Sequence, residues 1–238
     1  MIKLSKRLDA AVSLVPEGFA ALDVGCDHGY TSIALLQSGK SPAAVASDVR
    51  KGPLAAAAAN IETFGLSGKI KTVLADGIPE NIAGLLPEDV PAALVITGMG
   101  GLLIRDILER AKERTQRFDA MVLSPQSDLD AVRKALSGFG FYIKDELCLT
   151  EDGKFYVMIL AERGSAKPLS DAEALYGPVL LRKKDPVLYE ELLKQLSVRE
   201  KIREQLIANP SGKTAERLTV IEKEEALLNE ALGYYSRT

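Results

Sequence analysis

The sequence contains little cysteine, histidine or tryptophan, and it lacks a long apolar run. Its 238 residues include two cysteines, one histidine and no tryptophan. Because Cys26 and Cys148 lie far apart and His28 is a single residue, they predict neither a disulfide framework nor a zinc site. No stretch approaches the roughly 20 apolar residues of a membrane span, and charges interrupt residues 1–7, where a signal peptide needs an apolar core. We therefore expect a cytoplasmic protein with no metal and no membrane partner.

An excess of charge of one sign is also missing. The formal net charge is −3, although 26% of the residues are charged. Overall charge therefore does not predict a nucleic-acid partner, and any such contact must come from a local basic patch. Lys3, Lys6 and Arg7 form one candidate patch on a short amphipathic helix predicted for residues 3–15. A solvated helix face explains the same three charges equally well.

What the sequence does contain is a regular alternation of short apolar runs and helical segments. Strand-like runs are predicted at residues 19–24, 43–46, 70–74, 92–96 and 120–123. Helices are predicted at residues 31–38, 53–64, 102–114 and 129–136. Strand–helix–strand units repeated in this way indicate a doubly wound α/β fold, in which a mostly parallel sheet is covered on both faces.

The last part of this domain has a different pattern. Residues 141–149 and 155–161 are both strand-like, and the short link at residues 150–154 predicts a β-hairpin. Together with the five earlier strands they predict a seven-stranded, mostly parallel sheet that ends in a hairpin and contains one antiparallel strand. We assign residues 1–164 to this domain.

Composition shifts after residue 164, and we assign residues 165–238 to a second, helical domain. Two apolar stripes at helical spacing are separated by a break at residues 209–212. The stripes consist of Leu188, Leu192, Leu196, Arg199, Ile202 and Leu206, and of Leu218, Ile221, Leu228, Leu232 and Tyr235. Two such helices joined by a short turn predict an antiparallel coiled-coil hairpin. This hairpin can be a packing appendage, a substrate-gripping arm or a self-association surface.

Acidic and glycine residues are concentrated where the first predicted strand turns into a helix. The segment Asp23-Val24-Gly25-Cys26-Asp27-His28-Gly29-Tyr30 has glycines that permit a sharp turn and the close approach of a ligand. Its Gly-x-x-x-Gly spacing does not meet the Gly-x-Gly-x-x-Gly fingerprint of dinucleotide-binding proteins. The carboxylates of Asp23 and Asp27 would repel a pyrophosphate, whereas they suit a ligand that carries an ammonium group. An ordinary strand–helix turn is the alternative for this loop.

Two more carboxylates follow the next two strands. Asp48 can accept hydrogen bonds from ribose hydroxyls, and Asp76 can accept one from an adenine amino group; a helix N-cap and a turn are the respective alternatives. Since ligands of open α/β sheets bind at the carboxyl ends of strands, the three positions together favour an adenosine-containing cofactor. The candidate cofactor-binding residues are Asp23, Gly25, Cys26, Gly29, Tyr30, Asp48, Val49, Asp76, Gly77, Thr97 and Gly98.

Glycine is again dense after the fourth predicted strand. Three glycines surround Met99 in the segment Thr97-Gly98-Met99-Gly100-Gly101, although each glycine costs backbone entropy on folding. A surface that a substrate approaches closely accounts for this density, so we assign Met99, Gly100 and Gly101 to substrate contact. A loose loop with a core methionine is the alternative.

Segments spread along the whole chain resemble one family, the bacterial tRNA (adenine-N1)-methyltransferases of the TrmK type. The resembling segments are Leu4-Ser5-Lys6-Arg7-Leu8, the loop from Asp23 to Tyr30, Ser47-Asp48-Val49, Ala75-Asp76-Gly77, Gly98-Met99-Gly100-Gly101, Leu123-Ser124-Pro125-Gln126 and Tyr176-Gly177-Pro178. The Asp27-His28 pair is more specific than a general methyltransferase pattern, which has glycine where Asp27 stands. Ser124 and Gln126 depart from the family, in which glutamine and asparagine are commoner there.

The resemblance implies a Rossmann-like class I methyltransferase that uses S-adenosyl-L-methionine to methylate N1 of adenine 22 in the D arm of tRNA. A sheet that ends in a hairpin is typical of such methyltransferases and unusual in dinucleotide-binding dehydrogenases. The implied partner is tRNA, held in part by the C-terminal helical arm. We expect the protein to be a monomer or a weak homodimer.

Roles for single residues follow from this interpretation. Asp27 is the candidate catalytic carboxylate, which stabilises the cationic product base, and His28 positions either Asp27 or the base. The candidates for tRNA contact are Arg7, Lys3, Lys6, Met99, Gly100 and Gly101. Two other functions remain open: a methyltransferase of similar fold that acts on a small molecule or a protein, and a non-catalytic RNA-binding adaptor.

Overall fold

The computed structural model describes residues 2–210 and 212–236, and its contacts divide the chain into two units between residues 167 and 168. The sequence predicted the division after residue 164. Gly164 belongs to the first unit in both divisions, and its N–H donates to the carbonyl oxygen of Gly140 of the same unit at 3.0 Å. The predicted domains and the predicted break also include Met1, Ser211, Arg237 and Thr238, which lie outside the described residues.

The first unit alternates strands and helices. Its elements are α1 (Lys6–Leu14), β1 (Ala20–Val24), α2 (Tyr30–Gln37), β2 (Ala44–Asp48), α3 (Lys51–Thr63), β3 (Ile70–Leu74), α4 (Ile82–Leu85), β4 (Ala92–Met99), α5 (Gly101–Arg110), β5 (Ala120–Pro125), α6 (Leu129–Leu136), β6 (Phe141–Glu151) and β7 (Lys154–Arg163). The second unit contains α7 (Asp171–Tyr176), α8 (Pro178–Lys183), α9 (Pro186–Ala208) and α10 (Thr214–Ser236).

The seven strands of the described residues form one sheet with the order β3-β2-β1-β4-β5-β7-β6. Strand β7 runs antiparallel to both of its neighbours, and the other neighbouring strands are parallel. This topology confirms the predicted, mostly parallel sheet that ends in a hairpin. The strand order reverses between β1 and β4, so the carboxyl ends of these strands border the crevice where open α/β sheets bind ligands.

The central strands form the core of the first unit. Every residue of β1 and β2 is buried, as are the first five residues of β4. Leu22 of β1 stands in register with Val45 of β2 and with Leu94 of β4, and all three side chains are completely buried. Because helices cover both faces of a parallel sheet, its central strands are apolar over most of their length rather than at alternate residues.

The turn between β6 and β7 is tighter than the sequence predicted. Glu151, which was expected in the link, pairs with Lys154 in the ladder. The two residues left in the turn are Asp152 and Gly153, whose φ angles of 50° and 74° are both left-handed. Such two-residue turns match the twist of a hairpin. The hairpin prediction is therefore confirmed, but its five-residue link is wrong.

Helix α5 is shorter than predicted. It was expected to reach residue 114, but it ends at Arg110, and a 3-10 turn follows at Arg114–Arg117. The chain turns here because Phe118, which is completely buried, enters the core shortly before β5. Helices α4, α7 and α8 were not predicted, although α7 has a recognisable sequence signal in the capping box of Ser170 and Glu173.

In the second unit, α9 and α10 lie antiparallel. The Tyr235 hydroxyl near the end of α10 donates to the carbonyl oxygen of Asp185, the N-cap of α9, at 2.9 Å. Further along, Arg203 of α9 pairs with Glu225 of α10 at 3.0 Å. A supercoil between the two helices stays a prediction. Among the described residues, no helix is both long and apolar enough to cross a bilayer.

Candidate active site

A cavity of about 350 Å³ lies at the carboxyl ends of β1 to β4. Its volume is in the range of pockets that hold a cofactor or another small molecule. The predicted site residues that line it are Arg7, Asp23, Gly25, Cys26, Asp27, His28, Tyr30, Asp48, Val49, Asp76, Gly77, Thr97, Gly98 and Met99. The predicted site residues outside its lining are Lys3, Lys6, Gly29, Gly100 and Gly101.

Two buried titratable groups, Asp23 and Cys26, belong to the cavity wall. The Ser32 hydroxyl donates to Asp23 Oδ2 at 3.0 Å. Burial raises the pKa of Asp23 from its ordinary value of 3.8 to about 6, and repulsion from Asp48 adds to this shift. Burial also raises the pKa of the Cys26 thiol, which therefore stays protonated. A carboxylate that has lost its water in this way gains most from a cationic ligand.

The loop between β1 and α2 uses its two glycines for different purposes. Gly25 has a φ of 72°, its N–H donates to the Ser47 carbonyl oxygen at 2.8 Å, and a Cβ there would collide with the Met99 methyl group. Gly29 has a φ of 71° at the N-cap of α2, and a Cβ there would lie 3.1 Å from the Cβ of Ala57 in α3. Gly29 therefore permits close packing against α3. It does not line the cavity, although the sequence had placed it among the candidate cofactor-binding residues.

Asp27 and His28 lie at the outer edge of the same loop. Their side chains are 62% and 51% exposed, and His28 Nε2 lies 3.8 Å from Asp27 Oδ2. The His28 ring stacks on Tyr30 with a centroid distance of 5.4 Å, and Asn60 donates to the His28 carbonyl oxygen at 2.9 Å. Asp27 has a φ of 50°, a left-handed conformation that aspartate tolerates better than most residues. These contacts hold a carboxylate and an imidazole where a ligand from solvent can reach both.

Asp48, at the end of β2, is 4% exposed. Its Oδ2 accepts from the N–H of Asp27 at 3.3 Å and its Oδ1 accepts from the N–H of Arg50 at 2.9 Å. The N-cap residue of α3 is Arg50, so the alternative that Asp48 is a helix cap is wrong. The two bonds fix the carboxylate, and each of its oxygens keeps a lone pair for another donor.

Asp76 follows β3, and its side chain is 63% exposed. Arg110 of α5 donates from Nη1 to Asp76 Oδ2 at 2.7 Å and from Nη2 to Oδ1 at 3.4 Å. Through this hydrogen bond, Arg110 lowers the pKa of Asp76. Gly77, with a φ of 85°, lets α5 approach closely, since a Cβ there would lie 3.0 Å from the Ile107 side chain. Arg110 thus favours the ionised form of Asp76 and orients its carboxylate at the cavity.

The glycine-rich end of β4 divides into two parts. Thr97 and Met99 line the cavity, and the pairing of β4 with β5 shifts register between them, as in a β-bulge. Gly100 and Gly101 instead pack against Ser127: a Cβ on Gly100 would lie 3.2 Å from the Ser127 hydroxyl, and the Gly101 N–H donates to the Ser127 carbonyl oxygen at 3.0 Å. Close packing of two loops therefore explains these two glycines, which the sequence had assigned to substrate contact.

Helix α1 brings Arg7 to the cavity. The Arg7 guanidinium lies over the Tyr156 ring of β7, 5.7 Å from its centroid. The N–H groups of Lys6 and Arg7 donate to the Glu151 carboxylate at 2.6 and 3.4 Å, so the end of β6 caps the start of α1. Of the three predicted basic residues, Arg7 alone reaches the wall, while Lys3 and Lys6 lie outside it.

Sequence reasoning missed several residues of the site. Gln126 lines the cavity directly after β5, and the rule that ligands bind at carboxyl ends of strands could have found it. Leu103 and Ile107 of α5 also line it, and no local signal marks them. In the described part of the chain, no group of three or more histidine, cysteine, aspartate and glutamate side chains is arranged to hold a metal ion.

Residues 21–230 match the model of the TrmK family, whose description is tRNA (adenine(22)-N(1))-methyltransferase. The chain belongs to this family. The matched range includes the loop after β1, the ends of β2, β3 and β4, and most of the second unit, so it covers most of the residues that line the cavity.

Three relatives extend this result over nearly the whole chain. The tRNA (adenine(22)-N(1))-methyltransferase of Bacillus subtilis (strain 168) is 29% identical over 98% of both chains, and its TrmK crystal structure has a TM-score of 0.82. The Streptococcus pneumoniae protein Sp1610 in complex with S-adenosyl-L-methionine is 32% identical, with a TM-score of 0.82, over 97% of this chain and all of that one. M. capricolum TrmK in complex with S-adenosyl-homocysteine is 25% identical, with a TM-score of 0.82, over 97% and 98%.

Proposed function

We propose that this protein transfers a methyl group from S-adenosyl-L-methionine to N1 of adenine 22 in tRNA. Three carboxylates, Asp23, Asp48 and Asp76, lie at or just after the carboxyl ends of three neighbouring strands and line one cavity, and this arrangement carries the proposal. The chain's membership of the TrmK family supports the same reaction, since that family is described by it.

Each of the three carboxylates of the cavity suits a different part of the cofactor. Buried Asp23, whose hydrogen bond comes from the neutral Ser32, pairs with the ammonium group. Asp48 keeps lone pairs for the ribose hydroxyls, and Asp76 for the adenine amino group. The other cofactor contacts in this proposal are Gly25, Cys26, Tyr30, Val49, Gly77, Thr97 and Gly98. When bound, S-adenosyl-L-methionine supplies the methyl group.

The methyl transfer does not require a general base. Adenine N1 has an in-plane lone pair, so no group has to remove a proton from it first. The methylated base is cationic, and the exposed carboxylate of Asp27 stabilises that charge. His28, stacked on Tyr30, holds the base or Asp27 in position. Adenine must leave the tRNA stack to reach these groups, at a cost of a few kcal/mol.

The substrate contacts of the proposal lie around this pair. Met99 and Arg7 line the cavity with Asp27, and Arg7 meets a phosphate at its mouth. Lys3 and Lys6 add positive charge on the same N-terminal segment, and Gly100 and Gly101 keep the end of β4 close to the neighbouring loop. The second unit holds the tRNA in part or mediates self-association. The protein acts in the cytoplasm on tRNA, as a monomer or a weak homodimer.

A methyl-transfer assay tests the proposal. Unmodified bacterial tRNA and a matched transcript with guanine in place of adenine 22 are incubated with labelled S-adenosyl-L-methionine, and the products are digested to nucleosides. We expect N1-methyladenosine from the first transcript and no label in the second. Cofactor binding without methylation of either transcript would overturn the assignment and favour a small-molecule or protein substrate. Equal labelling of both transcripts would overturn the assigned position.

A further inference from the structure

The carboxylate of Asp76 is held from outside the cavity. Arg110, the last residue of α5, does not line the cavity, yet its Nη1 and Nη2 donate to the two Asp76 oxygens at 2.7 and 3.4 Å. On its other edge, the Nε of Arg110 lies 3.0 Å from Asp106 Oδ2, one helical turn earlier. The guanidinium is therefore clamped between two carboxylates, one on its own helix and one at the cavity.

This contact restrains a side chain that has little else to restrain it. The Asp76 side chain is 63% exposed and stands in a turn beside Gly77, a residue that has a left-handed φ of 85° and no side chain to pack against it. A paired arginine with two donors fixes the plane of a carboxylate as well as its position. Since each oxygen has two lone pairs, the pairing with Arg110 leaves one on each for a ligand.

The paired carboxylate is also selective in chemistry. It accepts hydrogen bonds and donates none, so it can bind the 6-amino group of adenine, whereas it repels the carbonyl oxygen of a 6-oxopurine. A protonated carboxyl could donate and would lose this preference. The charge and the two donors of Arg110 both favour the ionised form.

We propose that Arg110 is a positioning residue for the cofactor: it orients Asp76 as the acceptor for the adenine amino group and so makes the cavity selective for an adenine nucleoside. The proposal rests on the proposed function only in that the cavity binds S-adenosyl-L-methionine. It does not depend on the RNA substrate. Arg110 acts through Asp76 and touches neither the cofactor nor the reacting atoms.

The test measures binding of S-adenosyl-homocysteine by isothermal titration calorimetry, without tRNA. A second ligand is its analogue in which hydrogen replaces the 6-amino group. Arg110→Met is compared with Arg105→Met, which removes an arginine five residues earlier on the same helix that pairs with Glu109 and not with Asp76. Circular dichroism checks that both variants fold, as expected for two arginine side chains that are each 43% exposed.

We expect Arg110→Met to weaken binding of S-adenosyl-homocysteine about tenfold, the effect of one hydrogen bond to a charged group. The analogue without the amino group should lose less than about twofold, and Arg105→Met should leave both ligands at wild-type affinity. Arg110→Met added to Asp76→Ala should cause no further loss, because Arg110 then has no carboxylate to orient. Arg110→Lys, which keeps the charge but not the two-pronged donor, should lie between wild type and Arg110→Met.

Equal weakening of both ligands by Arg110→Met would overturn the proposal, because it would indicate a general effect on the cavity. Unchanged binding of both ligands, with weaker and salt-dependent tRNA binding, would overturn it in favour of a phosphate contact. If Arg110→Met loses affinity only for the ligand with the amino group but wild-type protein methylates no tRNA, the reaction proposed above fails and the role of Arg110 stands. If wild-type protein binds neither ligand, both fail together.

Discussion

The first unit buries most residues of its central strands, whereas the long helices of the second unit bury few of their residues. Every residue of β1 and β2 is buried, but α9 buries two of its 23 residues and α10 buries four of its 23. Exposed apolar residues lie near the end of α9 and the start of α10, at Ile202, Ile207 and Val220. Asp23 and Asp48, two carboxylates of the cavity, are thus held by buried strands, while the helix pair leaves several apolar side chains exposed.

The largest expected effect is a loss of catalysis in a variant whose first unit stays folded. Asp27→Ala should lower kcat for tRNA methylation by about a hundredfold or more, because the charge of the product base loses its carboxylate. Affinity for S-adenosyl-homocysteine should change less than about threefold, since the buried Asp23 and Asp48 remain. Steady-state assays with labelled cofactor measure kcat, and calorimetry measures the affinity. Asp27→Asn, which also tolerates the left-handed φ of 50°, is the matched control for loop conformation. Near-wild-type kcat in Asp27→Ala would remove its catalytic role.

The next prediction tests whether the two units unfold separately. Leu192 of α9 is completely buried and Leu193 is 43% exposed. Leu192→Ala should destabilise the helix pair by about 3 kcal/mol, and the matched control Leu193→Ala by less than about 0.5 kcal/mol. Urea unfolding followed by circular dichroism gives these values, and calorimetry should find unchanged binding of S-adenosyl-homocysteine. Loss of that binding in step with the helices would mean that the cavity depends on the second unit.

A third prediction concerns the free energy of unfolding that the protein loses by burying the ionised carboxylate of Asp23. Because burial raises the pKa of Asp23 to about 6, the folded protein binds a proton more tightly than the unfolded chain does. The ionised carboxylate therefore costs nothing below its ordinary pKa, and its cost is fully present above about pH 6. The stability advantage of Asp23→Asn over wild type should grow by about 2 kcal/mol from about pH 4 to about pH 7.5.

Urea unfolding across this pH range measures the advantage, and calorimetry should show that the same variant binds S-adenosyl-L-methionine more weakly. The Ser32 hydroxyl can still donate to the side-chain oxygen of the substituted asparagine, so packing is conserved. A difference between the two proteins that does not vary with pH would mean that Asp23 titrates normally in the fold.

The smallest expected effect lies on the helix pair. Arg203 and Glu225 form an ion pair whose side chains are 41% and 10% exposed. Arg203→Met should cost less than about 1 kcal/mol of unfolding free energy, and the cost should fade in about 0.5 M salt. Urea unfolding at low and high salt measures it. A cost that persists in high salt would show that this part of the helix pair is held more firmly than its exposure suggests.

Local patterns predicted most of the fold. The strand at residues 70–74 and the helix at residues 129–136 occur where they were predicted, because each depends on periodicity within one segment. The prediction failed where packing decides the end of an element, as when α5 stops at Arg110 so that Phe118 can enter the core. Glycine density was also ambiguous, since it marks close packing of loops as readily as close approach of a ligand.

By itself, the sequence determined the alternation of strands and helices, the edge of the sheet at which ligands bind, and membership of the TrmK family. Each of these depends on residues that are near one another in the chain or on segments that recur in order. Only the tertiary structure decided that Arg110 reaches Asp76 across 34 positions and that Glu151 caps α1 across 145 positions. No local period relates such residues, and they become neighbours only when the strand order brings their elements together.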